Sequence, residues 1–285
     1  MGFRLDRLAT LYFSHPLERV FPWKRRNEVP ILMYHSISEE LNPGATHPYY
    51  KTNTSPAVFS LHMEYLYKNN YRILNLDETV KLLKKREPVR DKYAVITFDD
   101  GFRDFYTEAF PLLHRYEFKA TVFLPTAYIG KKRVGFNGIQ CLSWDEVRDL
   151  RLKGIDFGSH TVSHPQLHVL GKKEIEHEIT HSKTIIENNL GCPIESFSYP
   201  FAFPEDSIFK NYIRGFLEKC GYKYGVSTRI GTTHRNDNFF SMKRIPVNSH
   251  DDIPLFKAKL EGSYDWMYFP QYLFKKFKIS SNKNL

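Results

Sequence analysis

The sequence predicts an α/β fold, a single domain built around a mostly parallel sheet. Three observations carry that prediction. From residue 30 short apolar, β-branched runs alternate with longer segments of helical period; several of those segments open on capping chemistry; and no Ser/Gly linker, low-complexity stretch or internal repeat interrupts the series. Parallel neighbours need crossovers, and helices are the usual ones. The pattern alone leaves an open sheet and a closed barrel both standing. In either architecture functional side chains gather at the carboxyl edge of the strands.

In chain order, the strand-like runs are Val29–Ile37, Tyr71–Leu74, Tyr93–Phe98, Ala120–Leu124, Ile155–Ser159, Glu195–Tyr199, Lys223–Ser227 and Phe239–Val247. Between them, Ser55 followed by Pro56 opens a helix with Phe59, Met63 and Leu66 on one face. Ser143 and Glu146 form a capping box for a second helix, which Gly154 ends. Further helical patterns cover Asp104–Tyr116, Lys172–Leu190 and Glu205–Cys220, the last stopped by Gly221.

The chain has 285 residues, 15% of them aromatic and 41% hydrophobic, which excludes intrinsic disorder and allows a sizeable core. No apolar stretch reaches the length of a membrane span, and no secretory signal is visible, so the expected location is the cytoplasm. Cys141, Cys192 and Cys220 are too scattered for a disulfide framework or a paired-cysteine metal site. The net charge of +9 sits at the ends: residues 1–26 hold six basic and two acidic side chains, and residues 271–285 hold four Lys and no acid. A nearly neutral body argues against a groove for nucleic acid. Basic ends interleaved with Leu and Phe suit contact with an anionic membrane surface, here the inner face, or packing of ordinary amphipathic helices on the body.

Two stretches bring together residues able to do chemistry. The run Tyr93–Phe98 ends in Asp99-Asp100-Gly101, adjacent carboxylates whose repulsion a cation or hydrogen bonds must relieve; the pair suggests one metal ligand beside one base. The run Ile155–Ser159 delivers His160 and His164 in a His-x-x-x-His spacing, which a helical turn or a tight loop would aim at one point. His168 follows as a surface or outlying group. Two imidazoles and one carboxylate make a site for a single divalent ion with room for water, and the remaining carboxylate can take a proton.

Thr97-Phe98-Asp99-Asp100-Gly101 and His160-Thr161-Val162-Ser163-His164 resemble the first two motifs of the polysaccharide deacetylases, which share the NodB homology domain. Phe197-Ser198-Tyr199-Pro200-Phe201-Ala202 is similar to the third motif, and Lys243-Arg244-Ile245-Pro246-Val247 to a later element; Ile31-Leu32-Met33-Tyr34-His35-Ser36 resembles the opening strand of the branch that includes poly-N-acetylglucosamine deacetylases. The resemblance spans about residues 29–255, leaving a basic extension at 1–28 and a basic aromatic tail at 256–285. It implies a distorted (β/α)7 barrel, one divalent metal ion, usually Zn2+ with Co2+, Ni2+ or Mn2+ as alternatives, and hydrolysis of an N-acetyl group on an amino sugar of a polysaccharide, oligosaccharide or lipid-linked glycan.

Carried over residue by residue, the resemblance makes Asp99 the catalytic base and Asp100, His160 and His164 the metal ligands. Phe201 stands where the family has Tyr, and its backbone N–H would help hold an oxyanion. The family's third motif often begins with an Arg that steadies the base; Ser198 occupies that place here, and Arg244 is the best substitute. The late Leu-x-His element that supplies the acid has no clear counterpart, which leaves His250 or His35, with His35 favoured. Tyr34, Trp144 and Tyr199 are aromatic candidates for sugar contact, Tyr199 foremost among them. The rival readings are an iron oxygenase triad, a carbohydrate-binding relative without catalysis, and a deacylase for an O-acetyl or other N-acyl group.

Overall fold

The computed structural model describes residues 4–20, 27–39, 51–85, 87–89, 91–130, 135–201 and 207–273. Its centre is a sheet of eight strands: β1 (Ile31–Tyr34), β2 (Arg72–Ile73), β3 (Tyr93–Phe98), β4 (Thr121–Leu124), β5 (Asp156–Ser159), β6 (Ser196–Ser198), β7 (Tyr224–Ile230) and β8 (Met242–Pro246). Seven of them close in the order β1-β8-β7-β6-β5-β4-β3, with β3 pairing back onto β1 and every pairing parallel. The strand β2 pairs with Tyr93 and Ala94 at the start of β3, and β4 with Thr97 and Phe98 at its end. This is a closed, distorted (β/α)7 barrel, which resolves the choice that the pattern left open.

The helices are α1 (Leu5–Ala9) and α2 (His15–Val20), joined by a π-helical turn, then α3 (Pro56–Lys68), α4 (Leu76–Lys84), α5 (Phe110–Arg115), α6 (Trp144–Leu152), α7 (Lys172–Leu190), α8 (Ser207–Lys219) and α9 (Ile253–Leu260). Their starts follow from local chemistry. The Ser55 hydroxyl accepts from the Val58 N–H at the head of α3, and Ser143 and Glu146 cap each other's backbone at α6. The same capping box, Asn75 with Glu78, opens α4, and Asp252 with Pro254 opens α9; both lie outside the expected helices although the signals are in the sequence. Helix α9 also runs across position 255, the expected domain limit.

The expected run Val29–Ile37 breaks in two places. Pro30 cannot donate to a ladder, so Glu28–Val29 pairs separately with Thr233–His234, and beyond β1 Ser36–Ile37 pairs with Asn53–Thr54. The expected helix from Asp104 begins as a π-helical turn, Phe105–Ala109, before α5. The run Phe239–Val247 shortens to β8, and the expected start of α8 at Glu205 lies outside the described residues.

Strand periodicity decides what faces the barrel axis. Ile31, Val95, Phe123, Val226 and Met242 form the interior cluster, whereas Leu32, Ile96, Val122, Leu124, Phe157 and Phe197 join the layer between strands and helices. Continuing the inward set along β3 gives Thr97 and then Asp99. On β5 the inward position is Gly158, where a Cβ would collide with the Phe123 ring, at 2.5 Å, and with the Ser196 hydroxyl. Two residues on, the same face presents His160.

Candidate active site

Asp99, Asp100, His160 and Ser198 stand at the carboxyl ends of β3, β5 and β6, and Arg244 reaches the same place from β8. The Arg244 guanidinium is fully buried and grips Asp99 with two parallel bonds, Nη1 to Oδ1 at 2.8 Å and Nη2 to Oδ2 at 2.7 Å. Its other donors are also used: Nε bonds the Ser227 carbonyl, Nη1 the Thr97 hydroxyl and Nη2 the Ser198 hydroxyl, which itself donates to Asp99 Oδ1 at 3.2 Å. Burial works against ionisation of Asp99, but the adjacent Arg244 charge, followed by His160, holds its carboxyl well below the usual range.

Asp100 is built differently. Its backbone turns left-handed (φ 71°), as does the next residue, Gly101, where a Cβ would lie 2.9 Å from Leu124. The turn aims its Oδ1 at Nε2 of both imidazoles, 3.5 Å from His160 and 3.3 Å from His164, and that buried oxygen has no hydrogen-bond partner among the described residues. One ligand atom from each of Asp100, His160 and His164 falls within 4.8 Å of the others. Asp99 stays outside the cluster, its Oδ2 4.0 Å from His160 Nε2.

The two imidazoles come from a tight loop. His160 Nδ1 donates to the Ser198 carbonyl at 2.8 Å, which in the neutral ring leaves Nε2 bare and facing Asp100. Thr161 (φ 68°) and His164 (φ 58°) are both left-handed, and such local strain persists only where surroundings enforce it. They do so here: Glu178 on α7 accepts from the Val162 N–H (2.7 Å), the Ser163 N–H (2.9 Å) and the Ser163 hydroxyl (2.7 Å), while Thr126 and Ala127 N–H groups hold the carbonyls of Thr161 and Val162. Burial, then the charge of His160, pushes His164 down to about 4, so it is neutral at physiological pH; its ring sits between Phe136 and Phe201. His160 is shifted upward, since Asp99 and Asp100 outweigh its burial.

Among the remaining expected site residues, His35 follows β1 half-buried, close enough for its charge to act on Asp99, Asp100 and His164. His250 lies in the loop before α9, its carbonyl accepting from Arg4 and its N–H donating to Asn248. Phe201 stands at the rim, 47% exposed, with left-handed backbone (φ 55°). Tyr199 differs from expectation: it is buried against Phe197 and gives its hydroxyl to the Phe240 carbonyl, so it packs the wall instead of presenting a face to a sugar. Tyr34 and Trp144 are core as well, and His168 lies in a short 3-10 turn outside the ligand cluster.

Glu178 was not foreseen. Its signal is a carboxylate within the buried stripe Ile175, Ile179, Ser182 and Ile186 of α7, a place where a solvated Glu does not belong.

The family model for polysaccharide deacetylases matches residues 86–225. Over 235 residues the chain is 30% identical to YxkH of Bacillus subtilis, named as a polysaccharide deacetylase, covering 82% of this chain and 77% of that protein. The chain belongs to the polysaccharide deacetylase family. It is also 24% identical over 209 residues to poly-beta-1,6-N-acetyl-D-glucosamine N-deacetylase of Staphylococcus aureus, covering 69% of this chain and 68% of that one. Among solved structures, the Streptococcus pyogenes deacetylase PplD in complex with acetate matches 82% of this chain and 99% of its own, with a TM-score of 0.71 and 24% identity. IcaB from Ammonifex degensii matches 83% and 98%, with a TM-score of 0.63 and 19% identity. Both structural likenesses show the barrel fold. The matched family segment contains Asp99 and all three members of the cluster, Asp100, His160 and His164; His35 and Arg244 lie outside it.

Proposed function

We propose that the protein is a metal-dependent deacetylase that hydrolyses the N-acetyl group of amino sugars in a glycan. Poly-β-1,6-N-acetylglucosamine, the substrate named for the staphylococcal relatives, is the first candidate. One observation carries the reading: of two adjacent carboxylates, Asp99 has both oxygens committed to Arg244, while Asp100 turns an unpartnered buried oxygen toward two imidazole nitrogens. That separates an ion ligand from a proton acceptor.

The donor set fits a divalent ion. Two imidazole nitrogens and a carboxylate suit zinc best, with cobalt, nickel or manganese as alternatives. When bound there, the ion supplies Lewis acidity and lowers the pKa of water. The chain's own groups do the rest. Asp99, held ionised by Arg244, takes the proton from the attacking water at a carboxylate oxygen. Arg244 and Ser198 fix its orientation, the Phe201 N–H would help hold the developing oxyanion, and His35 would return a proton to the leaving nitrogen. Phe136 and Phe201 keep water from the second imidazole.

The test is acetate release from β-1,6-linked N-acetylglucosamine oligomers by zinc- or cobalt-loaded protein, stopped by a chelator and restored by metal. Sugar binding without acetate release across metals and substrates would assign the chain to a carbohydrate-binding role. Release from O-acetylated sugars alone would move the scissile bond to an ester.

A further inference from the structure

The helical segment Leu5–Val20 is amphipathic in the reverse sense. A surface helix ordinarily turns its apolar stripe to the core and its polar residues outward. Here the buried positions are Asp6 and Thr10. Asp6 accepts from the Tyr264 hydroxyl at 2.7 Å, Arg4 bonds Asp251 and the His250 carbonyl, Arg7 bonds Asp252, His15 meets Glu261 at 2.7 Å, and Thr10 accepts from the Trp266 indole at 3.1 Å. The segment is thus seated on α9 and the turn after it by polar ties.

Its other face carries Leu5, Tyr12, Phe13, Leu17 and Val20, each between 61% and 70% exposed. Phe269, exposed as well, belongs to the C-terminal segment that the Trp266 bond ties to this helix. Both segments run on into basic sequence: residues 21–26 hold Lys24, Arg25 and Arg26, residues 274–285 hold four Lys, and neither stretch contains an acid.

We propose that this apolar face docks on a bilayer surface containing anionic lipid. Apolar side chains bordered by Lys, Arg and aromatic residues lie in the membrane interface, with cations at the headgroups. No helix among the described residues is long and apolar enough to cross a membrane, and the exposed face of Leu5, Tyr12, Phe13, Leu17 and Val20 suits a segment lying on the surface. A second copy is the poorer occupant, because the flanking sequences 21–26 and 274–285 carry only positive charge, which suits an anionic surface and repels its own kind.

The experiment is flotation of the full chain with vesicles of phosphatidylcholine alone or mixed two to one with phosphatidylglycerol. Binding to the mixed vesicles should exceed binding to the neutral ones by roughly ten-fold and weaken with salt. Replacing Phe13→Ser together with Leu17→Ser should lower it about ten-fold while acetate release from a soluble oligosaccharide is unchanged. A variant with Lys24, Arg25 and Arg26 changed to Gln should lose the preference for anionic lipid, and it tests the proposal even if the first variant folds poorly. Absence of binding, undiminished binding by both variants, or a solution dimer dissolved by the Phe13 and Leu17 changes would overturn it. Because the readout is vesicle binding, its failure leaves the deacetylase reading untouched.

Discussion

Along the inward face of β3, Val95 joins an apolar layer with Ile31, Phe123 and Met242, whereas Thr97 and Asp99, further along the same face, meet Arg244 and Ser198. The lower barrel follows the rule that interiors are apolar and close-packed. The upper barrel departs from it, burying an ion pair whose desolvation a hydrophobic pair would avoid. A protein gains little stability from such an exchange, so the polar layer marks where the barrel is built for chemistry and the apolar layer where it is built to hold.

Substitutions in the two layers should therefore separate activity from stability. Arg244→Ala leaves a buried carboxylate without its partner; about 3–5 kcal/mol of stability should be lost in denaturant titration. The release of acetate should fall by at least ~10²-fold with it, since Asp99, the proposed proton acceptor, is no longer held. In the lower layer Ile31→Ala should cost about 2–5 kcal/mol through the cavity it opens. At a temperature where the variant is folded, kcat should stay within a few-fold of the parent.

The polar layer was only partly legible in the sequence. Asp99, Asp100, His160 and His164 could be read because each sits where a short apolar strand runs out, and strand ends are visible in one dimension. That Arg244 meets Asp99 depends on a contact across 145 residues, which no periodicity reveals; only the resemblance suggested it. Glu178 was lost because a Glu in a helix reads as solvated. The N-terminal charges were misleading for the opposite reason: Arg4 and Arg7 look free but turn inward to Asp251 and Asp252. Of the fold, α4 was missed although Asn75 and Glu78 carry its capping box, since the segment Leu76–Lys84 spans only nine residues.

A buried polar group outside the barrel sharpens the contrast, because it is held neutral. His62 lies between Tyr34 and Phe256, Nε2 donating to the Asp251 carbonyl at 2.7 Å, and burial pushes its pKa down to about 4. The unfolded chain, with an ordinary pKa near ~6.5, takes up the proton first. The stability linked to the neutral ring is therefore complete above about pH 6.5 and drains as the pH falls toward 4; between pH 7 and pH 5 it amounts to about 2 kcal/mol. Denaturant titration at the two values should show that loss, and His62→Gln should reduce it.

The smallest effect concerns the loop clamp. Glu178→Gln keeps the shape but weakens the acceptor of three loop donors, and metal affinity measured by competition with a chelating dye should drop by roughly ten-fold. At saturating metal the turnover should recover, which separates a positioning residue from a ligand.

The division between two neighbouring carboxylates is best tested by metal analysis of Asp99→Asn and Asp100→Asn side by side, each with acetate release recorded. The Asp99 variant should retain metal near the parent stoichiometry while turnover falls on the order of 10³-fold, and the Asp100 variant should lose the metal itself. An Asp99 variant that sheds its metal, or one that still releases acetate at the parent rate, would contradict that division.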